Sequence, residues 1–347
     1  MAGEDTPEAR GGGGGREPKT AFMMHPAAVL HDTGWGHPEH QGRLRALASA
    51  LRDDMVALGG RVEQAPVRGG AGDAGVLAAI GRVHDQELVD RVRATSREAE
   101  QRLTVMSLDS DTRVSGASWE AALGSVAAGL EAVCEVAAGR YRNAFVATRP
   151  PGHHATPGRA MGFCLFNNVA VAAASLRARG EADRVLIVDW DVHHGNGTQD
   201  AFYDDPTVFV LSLHQHPHYP GTGAARETGR GSGVGFTRNV PLPPGTPRAD
   251  YLEAFAGSVA MAADTIAPDF VLVSAGFDSL ACDPLGDQLL EPEDMHAMTR
   301  RLVRIADDFC AGRVVVFLEG GYDPRRTALG AVAVVRALAG LDMPAAD

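Results

Sequence analysis

Five short runs of apolar and β-branched residues constrain the fold most: Ala144–Thr148, Val185–Val188, Val208–Leu213, Phe270–Ser274 and Val314–Leu318. None alternates polar with apolar, so each reads as a strand buried on both faces, the pattern of a parallel sheet covered by helices. Segments with a helical hydrophobic period separate several of them, at Trp119–Ala138, Asn168–Arg179, Tyr251–Ile266 and Glu293–Cys310. Strands alternating with helices predict a doubly wound α/β architecture. Residues 215–248, dense in Gly and Pro, break the rhythm and read as one long loop.

Reactive side chains gather at one end of these strands. Arg149-Pro150-Pro151-Gly152-His153-His154 follows the first, and Asp189-Trp190-Asp191-Val192-His193-His194-Gly195-Asn196-Gly197 ends the second. The third carries Ser212 and His214, the fourth leads into Gly276-Phe277-Asp278, and the fifth into Glu319-Gly320-Gly321-Tyr322. Ligands bind at the carboxyl ends of strands in open α/β sheets. Five successive strands delivering such groups to that edge predict an active site.

Composition narrows the class. With 347 residues the chain suits roughly two average domains, yet α/β folds often use this length as one. The hydrophobic share of 45% excludes wholesale disorder. A net charge of −12 lacks the basic footprint of a nucleic-acid binder, so no nucleic-acid partner is expected. No apolar run approaches the ~18–20 residues of a membrane span. Residues 1–20, with five glycines from Gly11 to Gly15, read as a disordered tail without the apolar core of a secretory signal. Residues 21–341 read as a single catalytic domain and 342–347 as a fraying C-terminal tail. Cys134, Cys164, Cys282 and Cys310 form no C-x-x-C pair, and Cys134 and Cys310 fall in helical patterns as core residues. A reducing, cytoplasmic setting follows. Lys19 is the sole lysine, and the Arg, Ala and Gly excess points to a GC-rich bacterial genome.

Asp191 and His193, two apart at a strand end, can project to the same side, and Asp278 can join them from another strand end. Two carboxylates and an imidazole hold a divalent ion and leave positions for water and substrate. So oxygen-rich a set accepts Zn²⁺ and also Fe²⁺ or Co²⁺. His153 and His154 read as proton-handling groups beside a water acidified by that ion. Asp189 and Asn196 are placed to fix their tautomers. Tyr322, after two glycines, can point its hydroxyl at a developing oxyanion. His84 reads as a surface or core histidine in a helical pattern, and His216 and His218 as loop residues rimming the site. The Gly229–Gly235 run does not join a strand to a helix N-terminus, so no nucleotide is assigned to it.

These stretches, with His31-Asp32-Thr33-Gly34, His37-Pro38-Glu39, Gly162-Phe163-Cys164-Leu165-Phe166-Asn167-Asn168 and Asp283-Pro284-Leu285-Gly286, make Met23–Leu338 resemble the histone deacetylase superfamily. The likeness is to its class II-like bacterial amidohydrolases. The resemblance implies a three-layer αβα arginase/deacetylase fold, with a central, mostly parallel sheet of about eight strands. It implies zinc on Asp191, His193 and Asp278, with His154 as general base then acid, His153 as electrostatic support and Tyr322 polarising the amide carbonyl. It implies structural potassium held by the Asp189 side chain, the Ser212 hydroxyl and backbone carbonyls of Asp191, His193 and Leu213. Gly162, Phe163, Tyr219, Leu285 and Gly320 would line an acyl-lysine tunnel, and Arg43 would lie near an inner channel.

Departures sharpen this reading. Tyr219 stands where the tunnel aromatic is usually Phe. Position 196 is Asn, which cannot stabilise an imidazolium as a carboxylate would, so His154 starts neutral. Leu285 replaces the rim Glu of polyamine-specific relatives. Arginase-like relatives need two further carboxylates, where this chain has Gly195 and Leu280, so one metal is expected rather than two. The predicted activity is hydrolysis of a small-molecule or peptide N-acyl amine, foremost an N-acetyl-lysine-type amide, to amine and acetate. Three alternatives stay open: an acetylpolyamine or other small amide hydrolase, a non-catalytic acyl-ligand binder, and a mononuclear iron oxygenase. A homo-oligomer also stays open.

Overall fold

A computed structural model describes residues 19–70 and 72–344. In chain order the elements are β1 (Thr20–Met23), α1 (Gly42–Asp54), β2 (Val62–Gln64), α2 (Ala74–Ile80), α3 (Gln86–Arg102), β3 (Met106–Ser107), β4 (Arg113–Val114), α4 (Ser118–Ala137) and β5 (Asn143–Val146). There follow α5 (Asn168–Ala178), β6 (Val185–Asp189), α6 (Asn196–Phe202), β7 (Val208–Gln215), β8 (Thr237–Leu242), α7 (Arg248–Ile266), β9 (Phe270–Ala275), α8 (Pro292–Cys310), β10 (Val314–Leu318) and α9 (Pro324–Leu338). Eight strands form one sheet in the order β2-β1-β5-β10-β9-β6-β7-β8. Every neighbouring pair in it is parallel. β3 and β4 make a separate antiparallel ribbon.

Alternation along the buried strands splits the core into two layers. Leu186 and Val188 of β6 join one cluster with Leu44 and Leu47 of α1, Phe255 of α7, Leu302 of α8 and Val334 of α9. Val185 and Ile187 of the same strand join the other, with Val133 of α4, Leu176 of α5 and Phe202 of α6. Helices therefore cover both faces, and the predicted three-layer fold is the one observed.

Helix ends follow local chemistry. α8 opens with a reciprocal capping box between Glu291 and Asp294 and a proline in its first turn, then buries Met295, Met298, Leu302, Ala306 and Cys310 along one stripe. The predicted helices match α4, α5, α7 and α8 to within three residues at each end.

Four expectations need correction. The long loop at 215–248 contains β8, an edge strand. Edge strands tolerate the Arg238 and Pro241 that hid it from a search for apolar runs. The tail read at 1–20 lies outside the described residues up to position 18, and Thr20 instead opens β1, paired on both sides. Residues 342–344 carry neither helix nor strand, and 345–347 lie outside the described residues. His84 is a core histidine, but it sits in the turn between α2 and α3. There Nε2 accepts the Asn167 N–H and Nδ1–H donates to the Thr156 carbonyl. Cys310 is buried as expected, whereas Cys134 is only half-buried; both are free, as are Cys164 and Cys282.

Candidate metal centre and active site

The parallel register brings the strand ends together. Asp189, last in β6, pairs with Ser274 of β9 on one side and Ser212 of β7 on the other. The turn after β6 therefore lies beside the turn after β9. Ligand atoms of Asp191, His193 and Asp278 fall within 4.8 Å of one another, and all three residues are buried. His193 Nδ1 is 3.0 Å from Asp191 Oδ1 and 3.3 Å from Asp278 Oδ2.

Several observations fit a cation here. Asp278 Oδ2 is buried and accepts no hydrogen bond, an arrangement that costs free energy unless a partner arrives. Burial and the neighbouring Asp191 push the Asp278 carboxyl up to about 7. Burial works against charge on His193, but its bond to Asp191 and the negative charge of Asp278 outweigh it and lift the ring to about 10. Two carboxylates closed on an imidazole thus call for positive charge between them. A Cβ on Gly276 would come within 2.2 Å of Asp191 Oδ2, and one on Gly320 within 2.0 Å of Asp278 Oδ2. Only glycine lets the backbone close over the carboxylates this tightly. Two oxygens and one nitrogen, walled by protein and open on one side, match a catalytic rather than a structural zinc site.

The open side is a cavity of about 370 Å³, whose lining includes His154, Phe163, His193, Tyr219, Leu285 and Tyr322. His154 lines this cavity and His153 lies directly behind it, and the paired imidazoles differ in state. His153 Nδ1–H donates to Asp189 Oδ2 at 2.9 Å. Burial opposes its charge, but Asp191 and Asp189 prevail and hold its pKa well above the usual value. His154 Nδ1–H donates to Asn196 Oδ1 at 2.8 Å, which leaves Nε2 with a free lone pair. Burial, then His153 and His193, keep this ring neutral far below its usual pKa. The rings lie 4.0 Å apart between centroids. Neighbouring environments separate the two roles.

Tyr322 is buried, and its hydroxyl makes no hydrogen bond with any described residue. Burial together with Asp278 and Asp191 raises its pKa well above the ordinary phenol, so it remains a donor. Its backbone N–H is anchored on Asp283 Oδ2 at 2.6 Å. Its ring lies edge-on to Phe163 at 5.7 Å and under the Arg43 guanidinium at 5.2 Å. Gly162 abuts His154, since a Cβ there would meet its ring at 2.4 Å. Tyr219 stands edge-on to His154 at 5.1 Å between centroids.

Some predicted residues sit elsewhere than expected. Gly320 lies against the metal carboxylates, donating its N–H to Asp191 Oδ2 at 2.8 Å, rather than in the cavity wall. Of the residues grouped for potassium, Asp189 and Ser212 are register partners, with Leu213 next in β7. The Ser212 hydroxyl meets His214 Nδ1 at 2.9 Å. Arg43 is buried and donates to the carbonyls of Gly321 and Glu319. Leu280 is an apolar core residue.

Other residues matter more than their sequence signal indicated. His218 does more than rim the site: its ring stacks on His193 at 4.8 Å and its Nε2 meets the Leu285 carbonyl at 2.9 Å. Asp111 lines the mouth from the loop after β3, where nothing but a run of acids marks it. Glu319 is buried, and its Oε2 accepts the N–H groups of Gly152 (2.7 Å) and His153 (3.2 Å), fixing the loop of the imidazole pair. Glu39 Oε1 accepts from Arg149 Nε (2.8 Å) and Arg43 Nη1 (3.0 Å), all fully buried. Glu39, Arg149 and Glu319 each lie inside a sequence motif, yet partner spacing alone did not reveal the network they form.

Residues 37–338 match the family model for the histone deacetylase domain. The chain is 40% identical to Histone deacetylase 15 of Arabidopsis thaliana over 96% of its own length, and spans 59% of that longer protein. It is 34% identical to a probable deacetylase of Archaeoglobus fulgidus, covering 94% of this chain and 88% of that one. A crystal structure of an HDA15 HD domain superposes with a TM-score of 0.85 at 40% identity, over 94% of this chain and 89% of the other. Family match, fold and site geometry agree, and the chain belongs to the histone deacetylase family.

Proposed function

We propose that this protein is a zinc-dependent deacetylase that hydrolyses N-acetyl-lysine-type amides to free amine and acetate. The observation that carries the reading is a cavity that reaches the Asp191–His193–Asp278 cluster at His193 and is walled by a neutral His154 and a protonated Tyr322. Zinc held by those three residues supplies Lewis acidity for the carbonyl and for water. His154 Nε2, its tautomer fixed by Asn196, takes the proton of the attacking water and returns one to the departing amine. Without that return a strongly basic amide anion would have to leave. His153, tied to Asp189, supports the charge that develops beside it. The Tyr322 hydroxyl donates to the oxyanion. Phe163 and Tyr219 flank the acyl-amine chain as apolar walls, while the Asp189 side chain, the Ser212 hydroxyl and the backbone carbonyls of Asp191, His193 and Leu213 would hold potassium beneath the site. The four free cysteines support a cytoplasmic setting, and no helix among the described residues is long and apolar enough to cross a membrane.

Acetylated polyamines are the second reading. Asp111 and Asp287 line the mouth with no lysine or arginine among the lining residues, which favours a positively charged chain. Acetate release from an acetyl-lysine peptide and from acetylspermidine, with and without a chelator, tests both. Chelator-sensitive release from either establishes the hydrolase and ranks the substrates, whereas release from neither overturns it.

Asn196→Asp gives a further test. A carboxylate behind His154 stabilises the imidazolium and raises the pKa of the ring. The base must be deprotonated to act, so activity falls as pH drops through that pKa. The acidic limb of the kcat/KM profile is expected to move to higher pH in the variant; an unmoved limb would remove Asn196 from its assigned place.

A further inference from the structure

A second cleft, of about 680 Å³, opens at the opposite edge of the sheet. Thr20 begins β1, Arg61 directly precedes β2 and Arg142 directly precedes β5. These strands are parallel, so the cleft lies at their amino ends, away from the carboxyl ends that carry the metal centre. In a chain of net charge −12 it is lined by five cations, Lys19, Arg61, Arg142, Arg300 and Arg304, against one carboxylate, Asp307.

Pairing does not account for this charge. Lys19 is matched by Glu63 at 2.9 Å and Arg142 by Asp307 at 2.6 Å. Arg300 and Arg304, one turn apart on α8, make neither a hydrogen bond nor an ion pair with any described residue. Arg61 reaches only the Ala339 carbonyl, at 3.5 Å. The Nη1 atoms of Arg61 and Arg300 each lie 3.7 Å from the point where a Cβ of Gly340 would sit, so the two guanidinium groups converge on one spot. The carboxyl end of α9 offers about half a negative charge there, and one of its carbonyls, that of Leu338, is already taken by Asn143 Nδ2. Positive charge remains in excess.

Neutral donors point the same way. Thr20 lines the cleft at 2% exposure, and its hydroxyl has no hydrogen-bond partner among the described residues. The Gly60 N–H, also in the lining, is likewise unengaged. Val303 and Leu338 supply a buried apolar floor. Forked guanidinium groups match phosphate oxygens bidentately, and a concave volume of this size suits a small molecule rather than a duplex.

We propose that this cleft binds a condensed phosphate chain, that of an inorganic oligophosphate or of a nucleoside triphosphate. Isothermal titration of the full chain with tripolyphosphate and with ATP tests it, comparing wild type with an Arg300→Ala/Arg304→Ala double variant. Saturable binding at one site per chain is expected, weakened at least tenfold in the variant, with unchanged acetate release and unchanged Tm in the absence of ligand. Equal affinities for the two probes identify the phosphate chain as the whole determinant; tighter ATP binding adds the base on Val303 and Leu338. Absence of saturable binding by both probes would overturn the proposal. So would an equal loss in an Arg91→Ala/Arg97→Ala control on α3, which would reduce the effect to general surface charge.

Discussion

Tyr322→Phe is expected to lower kcat by about 100- to 1,000-fold, the usual cost of one oxyanion donor. KM and zinc content should change little. The phenol ring packs against Phe163 and the Arg43 guanidinium, contacts that phenylalanine keeps, while the hydroxyl bonds to no described residue. Removing it leaves no protein group unsatisfied, so folding is spared and the loss falls on the transition state. Steady-state kinetics alongside metal analysis check this. Near-normal turnover would strip Tyr322 of its role, whereas loss of both turnover and zinc would make the residue structural.

The largest stability effect is expected at Glu39. Its carboxylate joins Arg43 on α1 to Arg149, which opens the Arg149–His154 loop, and both side chains are fully buried. Arg149 also donates to the carbonyls of Ala28 and His31. Glu39→Ala would strand two guanidinium groups in the interior, a loss of about 3–5 kcal/mol. Burial alone would raise the carboxyl, but Arg149 and Arg43 prevail and lower it from 4.5 to about 2. Because the folded pKa is depressed, the ionised pair stabilises the protein above pH 4.5, and that contribution, about 3 kcal/mol, fades as pH falls toward 2. Urea unfolding at neutral pH should show the loss in the variant, together with a weaker dependence on acid. A variant as stable as wild type would mean the arginines find other partners.

The sheet was legible where both faces are buried. Continuous apolar runs mark β5, β6, β7, β9 and β10 because helices cover both sides, and polar residues fall only toward the strand ends. β2 is only three residues long and only its first residue is buried, and β8 is an edge carrying Arg238 and Pro241, so neither presents a comparable run. In the site, Asp191, His193 and Asp278 were legible because metal ligation needs particular residue types at strand ends. Asp111 was not, because an acid in a surface loop has the same sequence signature whether or not it faces a cavity. Glu319 and Glu39 were visible as letters of a motif, but their purpose lies in three-dimensional hydrogen bonding. Gly320 was misplaced for a related reason: sequence shows the need for a small residue there, and only coordinates reveal which neighbour imposes it.

Anomalous scattering at the zinc edge, from crystals of the zinc-loaded protein, addresses the metal centre without reference to any substrate. One strong peak per chain is predicted, bounded by Asp191, His193 and Asp278 and facing the cavity beside His154 and Tyr322. No peak at that position, or a sole peak on surface histidines, would contradict the account.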